Sequence, residues 1–316
     1  MSDTFKYTNK HQESEGGGIG AVIVTHHPDA AVFSTTIQSL IHQVSHIYLV
    51  DNTPGGAMEV FENILIATGC SSRVTTIIFR DNMGISRAQN EGIKLAINDK
   101  CDFILLSDQD TNYPPDCVKM LLNALKTLQQ NGKNVAALAP AYVNTHTPEI
   151  SPYFLKLKGF IMRKVFVSSG LTQATQVIAS GQLIPAAVFA EVGLMDEQLF
   201  IDWVDIEWCW RARSKGFEIY GCGDVLIRHK IGDTVKMLAG RPYSQRSPVR
   251  HYYIVRNALI LALHRPYLPC GNRVFAFFRT LKLFFGIPLF STPRLIHFRH
   301  IAVGLAHGLM NRCGKY

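Results

Sequence analysis

An α/β fold with a mostly parallel central sheet, flanked by helices, is what this chain predicts. Three observations carry that expectation. Short β-branched apolar runs alternate with segments of helical apolar spacing over the first 130 residues. Polar residues follow each strand-like run, where open parallel sheets bind ligands. The 316 residues are 47% hydrophobic and 18% charged, which supplies a core and excludes general disorder.

Residues 19–24 form the first expected strand. Val32, Phe33, Ile37, Leu40, Ile41 and Val44 fall at helical spacing, so 32–43 is a helix. A second strand over 47–50 runs into the turn-rich Asp51-Asn52-Thr53-Pro54-Gly55. A helix over 58–68, a third strand over 74–79 and a helix over 85–98 continue the rhythm. The fourth strand, 103–106, ends at Ser107-Asp108-Gln109-Asp110, and a helix with proline near its first turn covers 114–130. Beyond residue 135 the pattern loosens. A strand over 176–183, a short helix over 185–192, a helix in the second part of 200–214 and a strand over 225–228 are expected. A polar loop over 232–248 then leads to three basic, aromatic-rich helices near 249–264, 272–286 and 294–311. The glycines at 16–18 and 20 precede the first strand, whereas a dinucleotide loop must follow it.

Charge is distributed unevenly. Twelve of the 32 Lys and Arg residues, and none of the 24 Asp and Glu residues, lie in 241–316. That segment carries +12 and the first 240 residues carry −4, within a net charge of +8. Such asymmetry points the C-terminal part at an anionic surface, either a membrane face or nucleic acid. The seven cysteines form no C-x-x-C and no close pairs, which argues for reduced cytosolic thiols and against a disulfide scaffold or zinc ribbon. Residues 1–18 read as a polar, disordered lead without the apolar region of a signal peptide. No apolar run reaches the roughly 18 residues of a spanning helix; the longest candidate, 274–290, is broken by Arg279 and Lys282.

Four features carry chemistry. Asp108 and Asp110, two residues apart after a buried strand, suit a hard divalent cation, Mg²⁺ or Mn²⁺; a plain helix-capping turn is the alternative. The segment Phe200-Ile201-Asp202-Trp203-Val204-Asp205-Ile206-Glu207-Trp208-Cys209-Trp210-Arg211 sets three acids among large aromatics. A carboxylate beside indoles is partly desolvated and can serve as a general base. Asp205 is read as that group, whereas Glu207 and Arg211 at i, i+4 read as a helix-stabilising pair. Asn82-Met83-Gly84-Ile85-Ser86-Arg87 joins a strand to a helix, so Gly84 allows close backbone approach and Arg87 could meet a phosphate. His229 follows a short strand and could be a metal ligand, a phosphate contact or a structural histidine.

In combination these pieces resemble the family 2 glycosyltransferases of the GT-A fold, and within them the bacterial rhamnosyltransferases. The resemblance runs from Gly20 to about Asn257. It rests on Ala21-Val22-Ile23-Val24-Thr25, Val50-Asp51-Asn52, Asn82-Met83-Gly84, Asn90-Glu91-Gly92, Asp108-Gln109-Asp110, Ser180-Gly181, Phe200-Ile201-Asp202, Val204-Asp205-Ile206-Glu207-Trp208 and Arg228-His229. It implies a GT-A nucleotide-diphospho-sugar transferase fold over 19–240, with a nucleotide-sugar half (19–135), an acceptor half (136–240) and a basic, membrane-facing C-terminal region (241–316). It further implies nucleotide-sugar contacts at Thr25, Asp51, Asn82, Gly84, Arg87 and Asp108. Asp110, Asp108 and His229 would hold the metal. Asp205 would be the base, with Asp202 and Glu207 in support. The implied donor is dTDP-L-rhamnose, and the implied acceptor a lipid-linked saccharide of O-antigen-type synthesis at the inner membrane surface. The chain departs from the family at His26-His27 after the first strand and at His307-Gly308 near the C-terminus. One base and one leaving diphosphate imply inversion at the sugar carbon.

Two other readings compete. A nucleotidyltransferase would share the start of the fold and the D-x-D, but it would need a Gly-rich, cationic loop that Thr25-His26-His27-Pro28-Asp29 does not supply. A nucleic-acid-binding protein could use the +12 tail, but it leaves Asp108, Asp110 and Asp205 without a purpose. For the same tail, 274–290 suits a helix lying in a membrane interface.

Overall fold

The structure is a computed structural model that describes residues 4–7, 18–144, 152–229, 234–238, 241–290 and 292–316. The first half alternates as expected: β1 (Thr4–Tyr7), β2 (Ile19–Thr25), α1 (Ala30–Leu40), β3 (His46–Asp51), α2 (Met58–Thr68), β4 (Val74–Phe79), α3 (Ile85–Asn98), β5 (Phe103–Asp108) and α4 (Cys117–Gln130). The second half holds β6 (Val135–Asn144), β7 (Tyr153–Lys158), β8 (Ile161–Phe166), β9 (Leu171–Ala174), β10 (Gln182–Pro185), α5 (Val188–Val192), α6 (Val204–Ser214) and β11 (Glu218–His229). The hairpin β12 (Thr234–Leu238) and β13 (Arg241–Gln245) leads to α7 (Pro248–Leu263), α8 (Cys270–Phe290) and α9 (Arg294–Leu309).

Nine strands form one sheet in the order β1-β4-β3-β2-β5-β10-β6-β11-β9. Strands β4, β3, β2 and β5 are parallel, as is the pair β6–β11. Strand β10 lies antiparallel between β5 and β6 and joins the two parallel groups. The central strands are apolar throughout because both faces are covered. Along β2, Val22 points into the layer under α3, α6 and α7, whereas Ala21 and Ile23 point into the layer under α1, α2 and α4. Period-two side chains of one strand thus feed two cores.

Several expectations are corrected. Residues 4–7 of the supposed disordered lead pair antiparallel with β4 as an edge strand; residues 1–3 and 8–17, with the glycines at 16 and 17, lie outside the described residues. The strand expected at 176–183 is only Gln182–Pro185. Residues 175–181 are mostly buried like a strand but run as a loop, with Gly181 at φ +80°. The short helix begins at Val188 rather than 185, and α4 at Cys117 rather than 114. Much of the supposed polar loop over 232–248 is the β12–β13 hairpin, with 232, 233, 239 and 240 outside the described residues. Strands β6 to β9 give no clear sequence signal. The three C-terminal helices fall where expected. All seven cysteines are free. Among the described residues, no helix is long and apolar enough to cross a membrane.

Helix α7 is not an appendage. All but four of its residues are buried, Arg256 and Asn257 completely. Several of the twelve tail cations have internal partners among the described residues. Arg246 and Arg250 pair with Asp202, Arg265 pairs with Asp196, and Arg256 and Arg273 donate to backbone carbonyls. The outward charge of the tail is correspondingly smaller than composition suggests, and the nucleic-acid reading loses much of its support.

Candidate active site

The carboxyl ends of β2, β3 and β5 open on one side of the sheet, and the polar residues that follow them meet there. Thr25 Oγ1 donates to Asp51 Oδ1 (3.0 Å). The same carboxylate accepts from the amides of Thr53 (3.1 Å) and Ala57 (2.7 Å). Asp51 is fully buried, and its donors fix the loop after β3. The adjacent Asn52, rather than Asp51, faces the cavity. Its Oδ1 accepts from Met83 N (2.7 Å), and its amide donates to Asn82 Oδ1 (2.9 Å), which also accepts from Gly84 N (2.9 Å).

These residues line a cavity of about 180 Å³ with Thr25, His26, Asp108, Gln109 and Phe200. Gln109, between the two aspartates, ties β5 to β2. It accepts from His26 N (2.7 Å) and donates to His26 O (3.2 Å). Gly84 sits at φ +87°, and a Cβ there would lie 2.7 Å from the Phe200 carbonyl oxygen. That same carbonyl accepts from Ile85 N (2.8 Å). The first amide of α3, where an anion was expected, is therefore capped by Phe200. Arg87 lies half-buried in the first turn of α3, outside the cavity lining.

Asp108 ends β5 and accepts a close hydrogen bond from Ser180 Oγ. Asp205 stands in the first turn of α6 and accepts from Ile206 N (2.8 Å). Its carboxyl is pushed up from 3.8 to about 6, first by burial and then by the Asp108 and Asp202 carboxylates, while the Ile206 and Ala179 amides oppose the rise. A group poised near neutrality can take up a proton and release it again. Two acids separated by 97 positions in sequence thus share one electrostatic environment.

The loop that delivers Asp205 is strained. Phe200, Asp202 and Trp203 have φ of +65°, +63° and +69°. Such left-handed backbone costs about 1–3 kcal/mol per residue unless the surroundings enforce it. Helix α7 enforces it. Asn257 Nδ2 lies within hydrogen-bond reach of the carbonyls of Leu199 (2.9 Å), Ile201 (2.9 Å) and Asp202 (3.0 Å). Arg250 grips the Asp202 carboxylate at 2.9 and 2.7 Å, with Arg246 at 3.2 Å. Trp203 Nε1 donates to Ile254 O (3.0 Å). Sequence reasoning misses this brace because it reads basic residues near the C-terminus as surface charge.

Glu207 does not join Asp205. It is fully buried and holds Arg211 through two bonds (2.8 and 2.9 Å), with the Tyr267 hydroxyl donating at 2.9 Å. Arg211 in turn donates to the carbonyls of Val192 and Leu194. This pair fastens α6 to α5, as the i, i+4 spacing anticipates. Asp202 is the partner of two arginines. The backbone of His229 closes β11, whose neighbour Arg228 bridges to Asn112 (Asn112 N to Arg228 O 3.2 Å), two residues beyond Asp110. The side chain of His229 lies outside the described residues. Among the described residues, no three His, Cys, Asp or Glu side chains converge as a metal site.

The geometry matches known proteins. Residues 21–176 match the family model "Glycosyl transferase family 2". Over 254 residues the chain is 31% identical to the dTDP-rhamnosyl transferase RfbF of Shigella flexneri, covering 79% of this chain and 81% of that protein. It is 26% identical over 250 residues to the galactofuranosyltransferase GlfT1 of Mycobacterium tuberculosis, covering 75% and 79%. Among solved structures, GalNAc-T7 with UDP, GalNAc and Mn²⁺ superposes with a TM-score of 0.56 at 15% identity, over 86% of this chain and 56% of that one. The mannosyltransferase PcManGT of Pyrobaculum calidifontis, with GDP-Man and Mn²⁺, gives 0.53 at 11% identity, over 96% and 79%. The fold is thus that of GT-A glycosyltransferases, and the chain belongs to glycosyl transferase family 2, close to the rhamnosyl transferases.

Proposed function

We propose that this protein is an inverting rhamnosyltransferase, using dTDP-L-rhamnose as donor and a hydroxyl of a lipid-linked saccharide as acceptor. The observation that carries the reading is the half-buried carboxyl of Asp205 in the first turn of α6, raised toward neutrality by burial and by the nearby Asp108 carboxylate. The name of the RfbF relative supports dTDP-rhamnose as the donor. The setting is synthesis of surface polysaccharide of the O-antigen type, with the enzyme peripheral on the cytoplasmic face of the inner membrane.

The roles follow from the chain's own groups. Thr25, Asn52 and Asn82 line the nucleoside cavity, with Asp51 holding Thr25 in place. Asp205 takes the proton of the acceptor hydroxyl as that oxygen bonds to the sugar carbon and the bond to the diphosphate breaks. Attack opposite the leaving group inverts the centre. Asp108 and Asp110 are the residues that would hold a divalent cation. Crowding of Asp108 against Asp205 favours positive charge there, and two carboxylates leave coordination positions for donor phosphates and water, as Mg²⁺ and Mn²⁺ prefer. When bound, such a cation offsets the charge that develops on the leaving diphosphate.

The test is thermal stabilisation by a panel of nucleotide sugars, with and without Mg²⁺ or Mn²⁺. A ligand present at 100 times its Kd adds about 2.7 kcal/mol to the native state. Metal-dependent stabilisation by dTDP-rhamnose and dTDP is expected in the wild type and is lost in Asp110→Ala. Stabilisation only by another nucleotide sugar would refute the rhamnosyl assignment.

A further inference from the structure

A second and larger cavity, a groove of about 780 Å³, lies between the β7–β8 hairpin and helices α6, α7 and α8. Its walls are apolar, with Phe160 and Met162 from the hairpin and Phe275 and Phe278 from α8, and Trp203 and Ile206 from the segment that carries Asp205. Its charges are unequal: four cations, Lys164, Arg246, Arg279 and Lys282, face one carboxylate, Asp202. The Arg279 guanidinium lies 5.8 Å from the Trp203 ring centroid. The Arg279 side chain is exposed, and the charge of Arg246 adds to its own at the groove. An arginine in such a place favours an arriving anion. The outer lip is greasy. Phe160 and Phe278 are 56% and 55% exposed, with ring centroids 6.3 Å apart, and they join the hairpin tip to α8.

A wholly apolar ligand would leave the excess of cations unmatched, and a free sugar or phosphate would leave the aromatic walls wet. Apolar walls with a net positive charge fit one chemistry, an amphiphile with a multiply charged phosphate head. We infer that this groove seats the acceptor's lipid anchor as a prenyl-type diphosphate, its first isoprenoid units on Phe160 and Phe278, its phosphates against Arg279 and Lys282, and its sugar directed past Trp203 to Asp205. The inference rests on the glycosyl-transfer reading and deepens it by assigning a place and residues to the acceptor. Asp202 then works at a junction. Its carboxylate faces the groove, and its backbone is three residues from the base. The β7–β8 hairpin becomes part of acceptor recognition, a role its sequence does not announce.

Trp203 lines the groove while Trp208 and Trp210 are fully buried, so tryptophan fluorescence can report on occupancy. The probe is farnesyl diphosphate, titrated below its micellar concentration into the full chain. Saturating dTDP and Mg²⁺ keep the donor site filled. Farnesol, inorganic diphosphate and phosphatidylglycerol vesicles are run in parallel. We expect farnesyl diphosphate to bind at least tenfold more tightly than farnesol or inorganic diphosphate. The double variant Arg279→Gln, Lys282→Gln should weaken it at least tenfold, and so should Phe278→Ser, with unchanged melting midpoints and dTDP affinity within twofold of wild type. Equal binding of farnesyl diphosphate by wild type and variants overturns the assignment. Equal affinity for inorganic diphosphate overturns it as well. A Trp203 response to the vesicles alone that matches the farnesyl diphosphate response identifies a general membrane contact and also overturns it. Failure of the wild type to bind dTDP would instead sink the glycosyl-transfer reading itself, and this inference with it.

Discussion

Asp205→Asn should make the protein more stable and nearly inactive at once. In the native state the carboxyl is held at about 6 against an ordinary 3.8. At 1.36 kcal/mol per tenfold change in proton affinity, that rise corresponds to about 3 kcal/mol. The sign follows from linkage. Well below 3.8 the group is protonated in both the folded and the unfolded chain, and it costs nothing. Between about pH 4 and 6 the unfolded chain ionises first, so the native state loses ground as pH rises, and above 6 the full penalty is present. Asparagine has no charge to desolvate or to repel Asp108, and its carbonyl can still accept from Ile206 N. The variant should therefore gain up to about 3 kcal/mol at pH 7.5 and only about 0.6 kcal/mol at pH 4. For a chain of 316 residues, unfolding entropy near 2.1 cal/mol/K per residue converts this into about 4–5 °C of melting midpoint. Calorimetry at both pH values, in EDTA, measures it. Turnover should fall by at least about 10³, the range of general-base contributions, while dTDP affinity stays within a few-fold. Coincident melting of wild type and variant at pH 7.5, or an equal gap at pH 4, would refute the account of Asp205. Turnover near wild type would refute its role as base.

Two further outcomes test the scaffold. Asn257→Ala removes the amide donor shared by the carbonyls of the loop before Asp205; Leu199 O keeps Arg256, so Ile201 and Asp202 are the carbonyls left short, at about 1–3 kcal/mol for each one left unsatisfied. It should lower the midpoint by a few degrees and reduce kcat more than dTDP affinity, as calorimetry and initial rates would show. Gly84→Ala puts a Cβ 2.7 Å from the Phe200 carbonyl at a φ of +87°. We expect a loss of about 1–3 kcal/mol and at least tenfold weaker dTDP binding, measured by calorimetric titration, because the cavity wall and the loop carrying Phe200 are displaced together.

Which residues gather at this edge of the sheet was legible because parallel strands enforce a simple rule. Each strand must be apolar along its length, so the first polar residues after it mark the ligand edge, and Thr25, Asp51, Asn82 and Asp108 follow that rule. Within it the division of labour was not legible. Asp51 and Asn52 are neighbours, and only the pairing of Thr25 with Asp51 decides which one faces inward. The perturbed carboxyl of Asp205 was legible from the aromatics around it. The brace on its loop was not, because Arg256 and Asn257 act across some 50 residues of sequence on backbone carbonyls, which carry no residue identity. The stretch from 135 to 185 failed for a different reason. Its strands β7 to β10 are short and pair antiparallel, the loop at 175–181 is as buried as a strand, and burial without hydrogen-bond pairing cannot be told from burial with it in a single sequence. That same loop delivers Ser180 to Asp108.

The position of β10 constrains how the chain can reach this architecture. Strands β2 to β5 are contiguous and can pair as they leave the ribosome, but β5 then presents an open apolar edge. Its neighbour β10 is separated from it by more than seventy residues. Next in the sheet, β6 has to wait for β11, because their parallel partnership spans 80 residues and more. The middle of the sheet is therefore its slowest part to close, since long loops must be ordered before their contacts contribute. A fragment ending near residue 135 would carry the residues that line the smaller cavity from β2 to β5, but would lack Phe200 and Ile201 from its wall and the strand that covers the β5 edge. Such a fragment should self-associate through that edge rather than survive as a separate donor-binding module.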